Sequence, residues 1–262
     1  MHTKKIVRSV ALIIGIIVAG IAIYRMYFYV DILPSAPEYP ATLLKNDVSY
    51  KINPATILDA LDGGKTSVFL PANEKSIPAL EVSPLIPWTQ KDFLRVANAL
   101  HEYVWKEALE NYQLYSLDFR VPDCDGVFRV DHASFQFYQR QGNWHYIVHN
   151  MVIDLQNGYV DAGDNNGLYS GHWEDVDLDS ALVNDASKAL SIAEQNGGRE
   201  ASIQIHNDQN CSTSINFSPS GYKRAILKWE VTYWLHGKTN DKVIYKIMID
   251  PFTSEYEVLI PG

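Results

Sequence analysis

Several short runs place chemistry-bearing residues close together, and each implies a definite reaction or ligand. Asp62-Gly-Gly-Lys-Thr66 has the look of a phosphate loop. Such a loop needs a further Gly five residues before the second one, and Asp59 stands there. The run therefore reads as a turn. His101-Glu102 falls on a helical stretch, but a metallopeptidase helix needs a second His four residues after the first, one turn on. Trp105 occupies that place, so the pair reads as a solvated helix face. Gly167-Leu-Tyr-Ser170-Gly171-His172 offers a hydroxyl and an imidazole two residues apart. The nucleophile elbow requires G-x-S-x-G between strand and helix, and this spacing is G-x-x-S-G.

Two acidic runs, Asp161 with Asp164 and Asn165, and Glu174 with Asp175, Asp177 and Asp179, have the oxygen ligands that calcium prefers. Counted as a calcium loop from Asp175, the second run reaches Ala186 where a bidentate Glu is needed. Asp179 or Ser180 reads instead as the cap of a following helix. No catalytic, cofactor-binding or metal-binding residue is assigned, and the chain reads as a non-enzyme. Cys124 and Cys211 are the only cysteines, and neither lies in a C-x-x-C. One disulfide and two separate buried thiols fit them equally. Aromatic residues are dense in strand-like runs. Trp144, Tyr146, Trp229, Tyr233 and Trp234 either line a groove for a peptide or apolar ligand or fill a sheet core.

The elements that would position these residues follow from periodicity. Residues 1–30 read as a membrane anchor: Lys4, Lys5 and Arg8 precede an uncharged run, Val10–Tyr24, with Arg25 and aromatic residues after it. At ~1.5 Å per residue, Ile6–Tyr29 would extend roughly 35 Å, enough for the hydrocarbon layer. The basic end would stay cytoplasmic, giving a single-pass protein with an extracytoplasmic C-terminal domain. A secretory signal peptide fits the same charges, but aromatic residues would then open the mature chain. Of the 22 basic residues, 18 remain after the first thirty, against all 31 acidic ones, a net of −13. That excludes nucleic acid as a natural partner and suits solubility or a basic protein surface.

Residues 31–87 read as a Pro-rich stalk and an irregular lead-in, with a short helix at 57–61 and a short strand at 66–70. Thr89–Tyr112 is the clearest helix. Thr89 and Asp92 form a capping-box pattern, and Phe93, Val96, Ala97, Leu100, Val104 and Ala108 make one apolar face. Strand-like runs follow at 114–121, 127–139 and 144–154, with a turn at Asn157-Gly158 and a short return strand at 159–161. A second helix at 180–195, ended by Gly197-Gly198, precedes strands at 201–206, 211–218, 224–235 and 243–250. The expected fold class is α+β: an N-terminal transmembrane helix, then two similar units (88–175 and 176–262), each one helix on a small antiparallel sheet.

The second unit resembles the PepSY-type domains of bacterial envelope proteins. The resemblance rests on the helix at 180–195, Trp229-Glu-Val-Thr-Tyr-Trp-Leu, Val243-Ile-Tyr-Lys-Ile-Met-Ile-Asp250 and the turn Pro251–Glu255. Thr253-Ser254-Glu255 stands where the family usually has T-G-E. The likeness covers 176–262 and, more loosely, 88–165. It implies a small module without enzymatic activity that modulates a peptidase or another envelope protein. The expected partners are the bilayer, through residues 6–29, and an envelope protein or peptide.

Overall fold

The structure is a computed structural model that describes residues 48–64, 68–71, 87–140, 145–168, 185–203, 210–220, 226–237 and 240–261. The chain begins with β1 (Val48–Lys51), α1 (Ile57–Asp62) and β2 (Leu70–Pro71). Then come α2 (Gln90–Trp105), a 3₁₀ turn (Leu109–Asn111) and four long strands: β3 (Gln113–Val121), β4 (His132–Arg140), β5 (His145–Asp154) and β6 (Tyr159–Leu168). α3 (Ala186–Ala193) leads through a kink at Asn196 and Gly197 into α4 (Arg199–Ile203). Four strands close the chain: β7 (Asn210–Ser220), β8 (Ile226–His236), β9 (Lys242–Ile249) and β10 (Tyr256–Ile260).

All ten strands of the described residues belong to one antiparallel sheet ordered β10-β9-β8-β7-β3-β4-β5-β6-β1-β2. This corrects the expected fold class. The two halves do not each fold on a small sheet of their own. β3 pairs with β7, with Phe119 opposite Ile215 and Leu117 opposite Phe217, so hydrogen bonding continues across the middle of the molecule. The resemblance implied a self-contained module for 176–262, yet its strands extend the sheet of the first half. The physical reason lies in the first strand of each meander. Both are apolar on the buried face, and pairing them removes two exposed edges at once.

The transmembrane part of that fold class is withdrawn as well. Among the described residues no helix is long and apolar enough to cross a membrane. The expected anchor at Ile6–Tyr29 lies outside the described residues. The single-pass membrane localisation, with its cytoplasmic N-terminus, therefore has no support in this structure.

α2 is set by its cap and its stripe. The Thr89 N–H donates to Asp92 Oδ2 at 2.8 Å, and the Asp92 N–H returns to Thr89 Oγ1 at 3.3 Å. Phe93, Val96, Ala97, Leu100 and Val104 are buried at helical spacing. The helix stops at Trp105, seven residues before the expected end at Tyr112, because Lys106 turns left-handed (φ 61°). α3 starts at Asp185, whose carboxylate accepts the Lys188 N–H at 2.9 Å; residues 179 and 180 lie outside the described residues. Residues 201–203 are helical, not a strand. α2 lies against β5 and β6, and α3 against β7 and β8. The start of α3 is tied to α2 where the Ala186 N–H donates to Gln90 Oε1 at 2.8 Å. The core is one layer between these helices and the sheet, with Trp88, Phe93, Phe119, Phe135, Phe217, Trp229 and Ile247 all buried.

The third strand of each meander ends in the same turn. The Asp154 carboxylate accepts the Asn157 N–H at 2.9 Å, and Asp250 accepts the N–H groups of Phe252 (2.9 Å) and Thr253 (3.0 Å). Both turns need a left-handed residue before the return strand. Gly158 supplies it at φ 67° and Ser254 at φ 63°. Gly158→Ala is expected to cost about 1 kcal/mol, because a Cβ is disfavoured there. Ser254→Gly is expected to be neutral or stabilising. Urea midpoints of the two variants check this pair of opposite signs.

Candidate functional site

Of the five aromatic residues that could line a groove or fill a sheet core, two fill the core. Trp229 and Tyr233 point into the core and are fully buried, because residues 229, 231 and 233 of β8 all face the helices. Trp234 is the next residue along and so faces the other side of the sheet, half-buried. Trp144 and the Tyr146 side chain lie outside the described residues. Cys124 and Cys211 are joined by a disulfide with Cα atoms 5.8 Å apart. Asp62 closes α1 and pairs with Arg95 on α2, while Asp161 accepts from the Ser49 hydroxyl. The Asn165 side chain and residues 169–184 lie outside the described residues. Among the described residues no three His, Cys, Asp or Glu groups are placed to hold a metal ion.

Two other arrangements stand out. The first surrounds His101, which is not on a solvated face but 0 % exposed. Its Nδ1 lies 3.1 Å from the Glu107 carbonyl oxygen, and its Nε2 lies 2.8 Å from Nδ1 of His149 on β5. Nε2 of His149 faces Asp164 Oδ1 on β6 at 3.6 Å. The Trp105 indole N–H donates to that same carboxylate oxygen. The His149 ring is stacked between Trp105 (centroids 4.0 Å apart, planes 7° apart) and Tyr112 (4.4 Å, 29°). The Tyr112 hydroxyl donates to Glu107 Oε2 at 2.7 Å. Burial pushes the His149 pKa down to about 3, and the neighbouring His101 adds to this. Burial also lowers His101, against the pull of Glu107, Glu102 and Asp164. Burial and the hydrogen bond to Glu107 raise the Tyr112 phenol. Among the described residues the cluster contains no serine, threonine or cysteine, and its imidazoles are buried. As it stands it offers no place for a substrate.

The second arrangement is the edge formed by β10. Among the described residues β10 pairs only with β9, from Tyr256 opposite Ile249 to Ile260 opposite Lys246. A register shift between Val258 and Ile260 puts Leu259 at a bulge. Tyr256 is 51 % exposed and Leu259 41 %, and Ile260 and Phe252 are exposed beside them. Glu255 and Glu257, also exposed, are the charged side chains of this rim. The base of the strand is fixed by the Asp250 turn. Burial works against the Asp250 carboxylate, but the Thr253 N–H, the Lys228 ammonium at 2.9 Å and the Phe252 N–H outweigh it and hold the pKa at about 2. The opposite edge of the sheet differs. β2 is two residues long and ends in Pro71, which has no N–H to offer.

Sequence reasoning placed the strand run and turn at 243–255 but gave β10 no role. The signal was present as Tyr256–Ile260, a short run of β-formers after a turn. His101 was read as solvated because one helical turn shows only spacing. Its partner His149 is 48 residues away, and only the sheet brings it in. Compared with family models, with curated proteins and with solved structures, the chain matches none of them.

Proposed function

We propose that this protein binds other polypeptides and performs no covalent chemistry of its own, and that β10 takes up an extended segment of a partner by strand addition. The observation that carries this reading is the β10 edge. Its second row of backbone groups has no strand partner among the described residues, and its exposed apolar side chains are Tyr256, Leu259 and Ile260. Most proteins blunt such an edge with charge, proline or brevity, as β2 does here. Main-chain hydrogen bonds supply affinity in this mode, and pockets for alternate side chains supply choice.

The partner's chemistry follows from the rim. Glu255 and Glu257 flank the apolar side chains, and the chain carries a net charge of −9. A segment alternating apolar and basic residues complements both features. Modulation of a peptidase is one use of such an edge, since peptidases read extended chains.

Titration of the protein with a (Lys-Val)4 peptide tests the reading. Saturable binding is expected, weakening as salt rises and weakening about fivefold in Glu257→Lys. No binding at millimolar peptide, or binding indifferent to Glu257→Lys and to salt, contradicts it.

A further inference from the structure

The His101–His149 cluster has one more ring-nitrogen contact than two neutral rings have N–H groups. Its ends are oxygen atoms that only accept: the Glu107 carbonyl and the Asp164 carboxylate. Between them lie four ring nitrogens and three contacts. Two neutral imidazoles carry two N–H groups for those three contacts. The Glu107 carbonyl fixes the first on Nδ1 of His101, at 3.1 Å. His101 Nε2 must then accept, so His149 Nδ1 donates across the 2.8 Å contact. That leaves a lone pair on His149 Nε2 facing a carboxylate oxygen. The separation there is 3.6 Å, longer than a hydrogen bond, and the Trp105 indole supplies the donor that Asp164 Oδ1 accepts. This tautomer assignment follows from the acceptors alone. The geometry is that of a pair with no added proton.

We propose that this pair is an acid-released latch: neutral, it pins the C-terminal end of α2 and the following 3₁₀ turn to β5 and β6, and proton uptake frees that end. The vacant nitrogen is His149 Nε2. Among the described residues the groups facing the cluster include Asp164 from β6, Glu102 and Trp105 from α2, Glu107 from the link, and Tyr112 just before β3. The carboxylates favour a proton on His101. Loss of water between the Trp105 and Tyr112 rings opposes it and prevails, in keeping with the lowered pKa of both imidazoles. The cheaper way to accommodate the charge is to open the cluster to water. The sign follows from linkage. A His whose folded pKa lies below its free value of about 6.5 stabilises the closed state above that pH, and the stabilisation is lost as pH falls toward the folded pKa.

The element that moves is short and sharply bounded. α2 ends at the left-handed Lys106, and the 3₁₀ turn begins three residues later, at Leu109. Side chains at both ends of this link, Trp105 and Tyr112, lie on the two faces of one His ring. Losing that ring undoes both contacts together.

Amide hydrogen exchange of the whole protein at pH 7.5 and 5.0, corrected for intrinsic rates, tests the latch. Opening of residues 100–112 and 147–151 is expected to rise about tenfold for each pH unit below about 6.5, with β8 and β9 rising far less. His149→Phe keeps a ring between Trp105 and Tyr112 but cannot titrate, and its exchange is expected to depend less steeply on pH, with only His101 of the pair left to take up a proton. Should that variant fail to fold, the imidazole C2–H resonances of the unaltered protein decide. Two rings that stay neutral below pH 5.5 while folded support the latch. Rings titrating near 6.5, or exchange in 100–112 that is indifferent to pH, overturn it.

Discussion

Removing the Cys124–Cys211 disulfide, as the Cys124→Ala/Cys211→Ala pair, is expected to cost about 4 kcal/mol of folding stability. The bond closes a loop of 87 residues, and restricting so long a loop in the unfolded chain gives about 4–5 kcal/mol on the chain-entropy account. The folded state gives no reason to subtract much from this. The two Cα atoms stand 5.8 Å apart, near the commonest separation, and the loop carrying Cys124 is held by other contacts. The Thr213 hydroxyl donates to the Asp123 carbonyl at 3.0 Å, and Arg129 bridges Asp123 and Asp125. Gly126, at φ 75°, lies so close to Glu194 that a Cβ would collide with its carboxylate. The bond sits beside the β3–β7 pairing, one strand end from Val121 opposite Thr213. Urea unfolding of the oxidised and Ala/Ala forms checks the value. A loss below 1 kcal/mol would mean that the unfolded chain already keeps these strands together.

Phe119→Ala is expected to cost about 3–5 kcal/mol, the range for emptying a buried aromatic site. Phe119 is fully buried on β3, at the middle of the sheet. Its ring centroid lies 5.6 Å from Phe93 of α2, 5.8 Å from Phe128 and 6.1 Å from Phe135 of β4, all near edge-to-face. It also stands opposite Ile215 across the seam between the halves. The cavity would therefore touch a helix and both neighbouring strands. If the halves fold as one cooperative unit, far-UV and near-UV circular dichroism lose signal at a single, lower urea midpoint. Two separated transitions would show that β3 and β7 are coupled only loosely.

The sequence made some elements legible and hid others, for physical reasons. α2 was visible because its cap and apolar stripe are local. β5 and β9 were visible as apolar runs ending in Asp-led turns. β6 was read as a three-residue return strand, but it runs from Tyr159 to Leu168 through Asp-Ala-Gly-Asp-Asn-Asn-Gly. Those residues have poor strand propensity. Pairing with β5 along its length, and with β1 over its first four residues, overrides that preference. β1 itself was passed over because four residues show too little alternation. The joined sheet was missed because nothing local states that β3 pairs with β7, 92 to 100 residues away, rather than each meander closing on itself. The aromatic residues were legible only as a choice between groove and core. Strand alternation turns Trp229 and Tyr233 inward, away from Trp234, and so settles these two as core. The edge that carries the proposed function depends on which strand lies last in the sheet, a property of topology and not of any motif.

The most direct measurement is residue-resolved amide exchange of the protein with and without saturating (Lys-Val)4 peptide. Strand addition predicts that amides of Tyr256–Ile260 facing the free edge slow at least tenfold, while those of β2 at the other end of the sheet do not change. Protection that appears elsewhere and leaves Tyr256–Ile260 untouched would contradict the account.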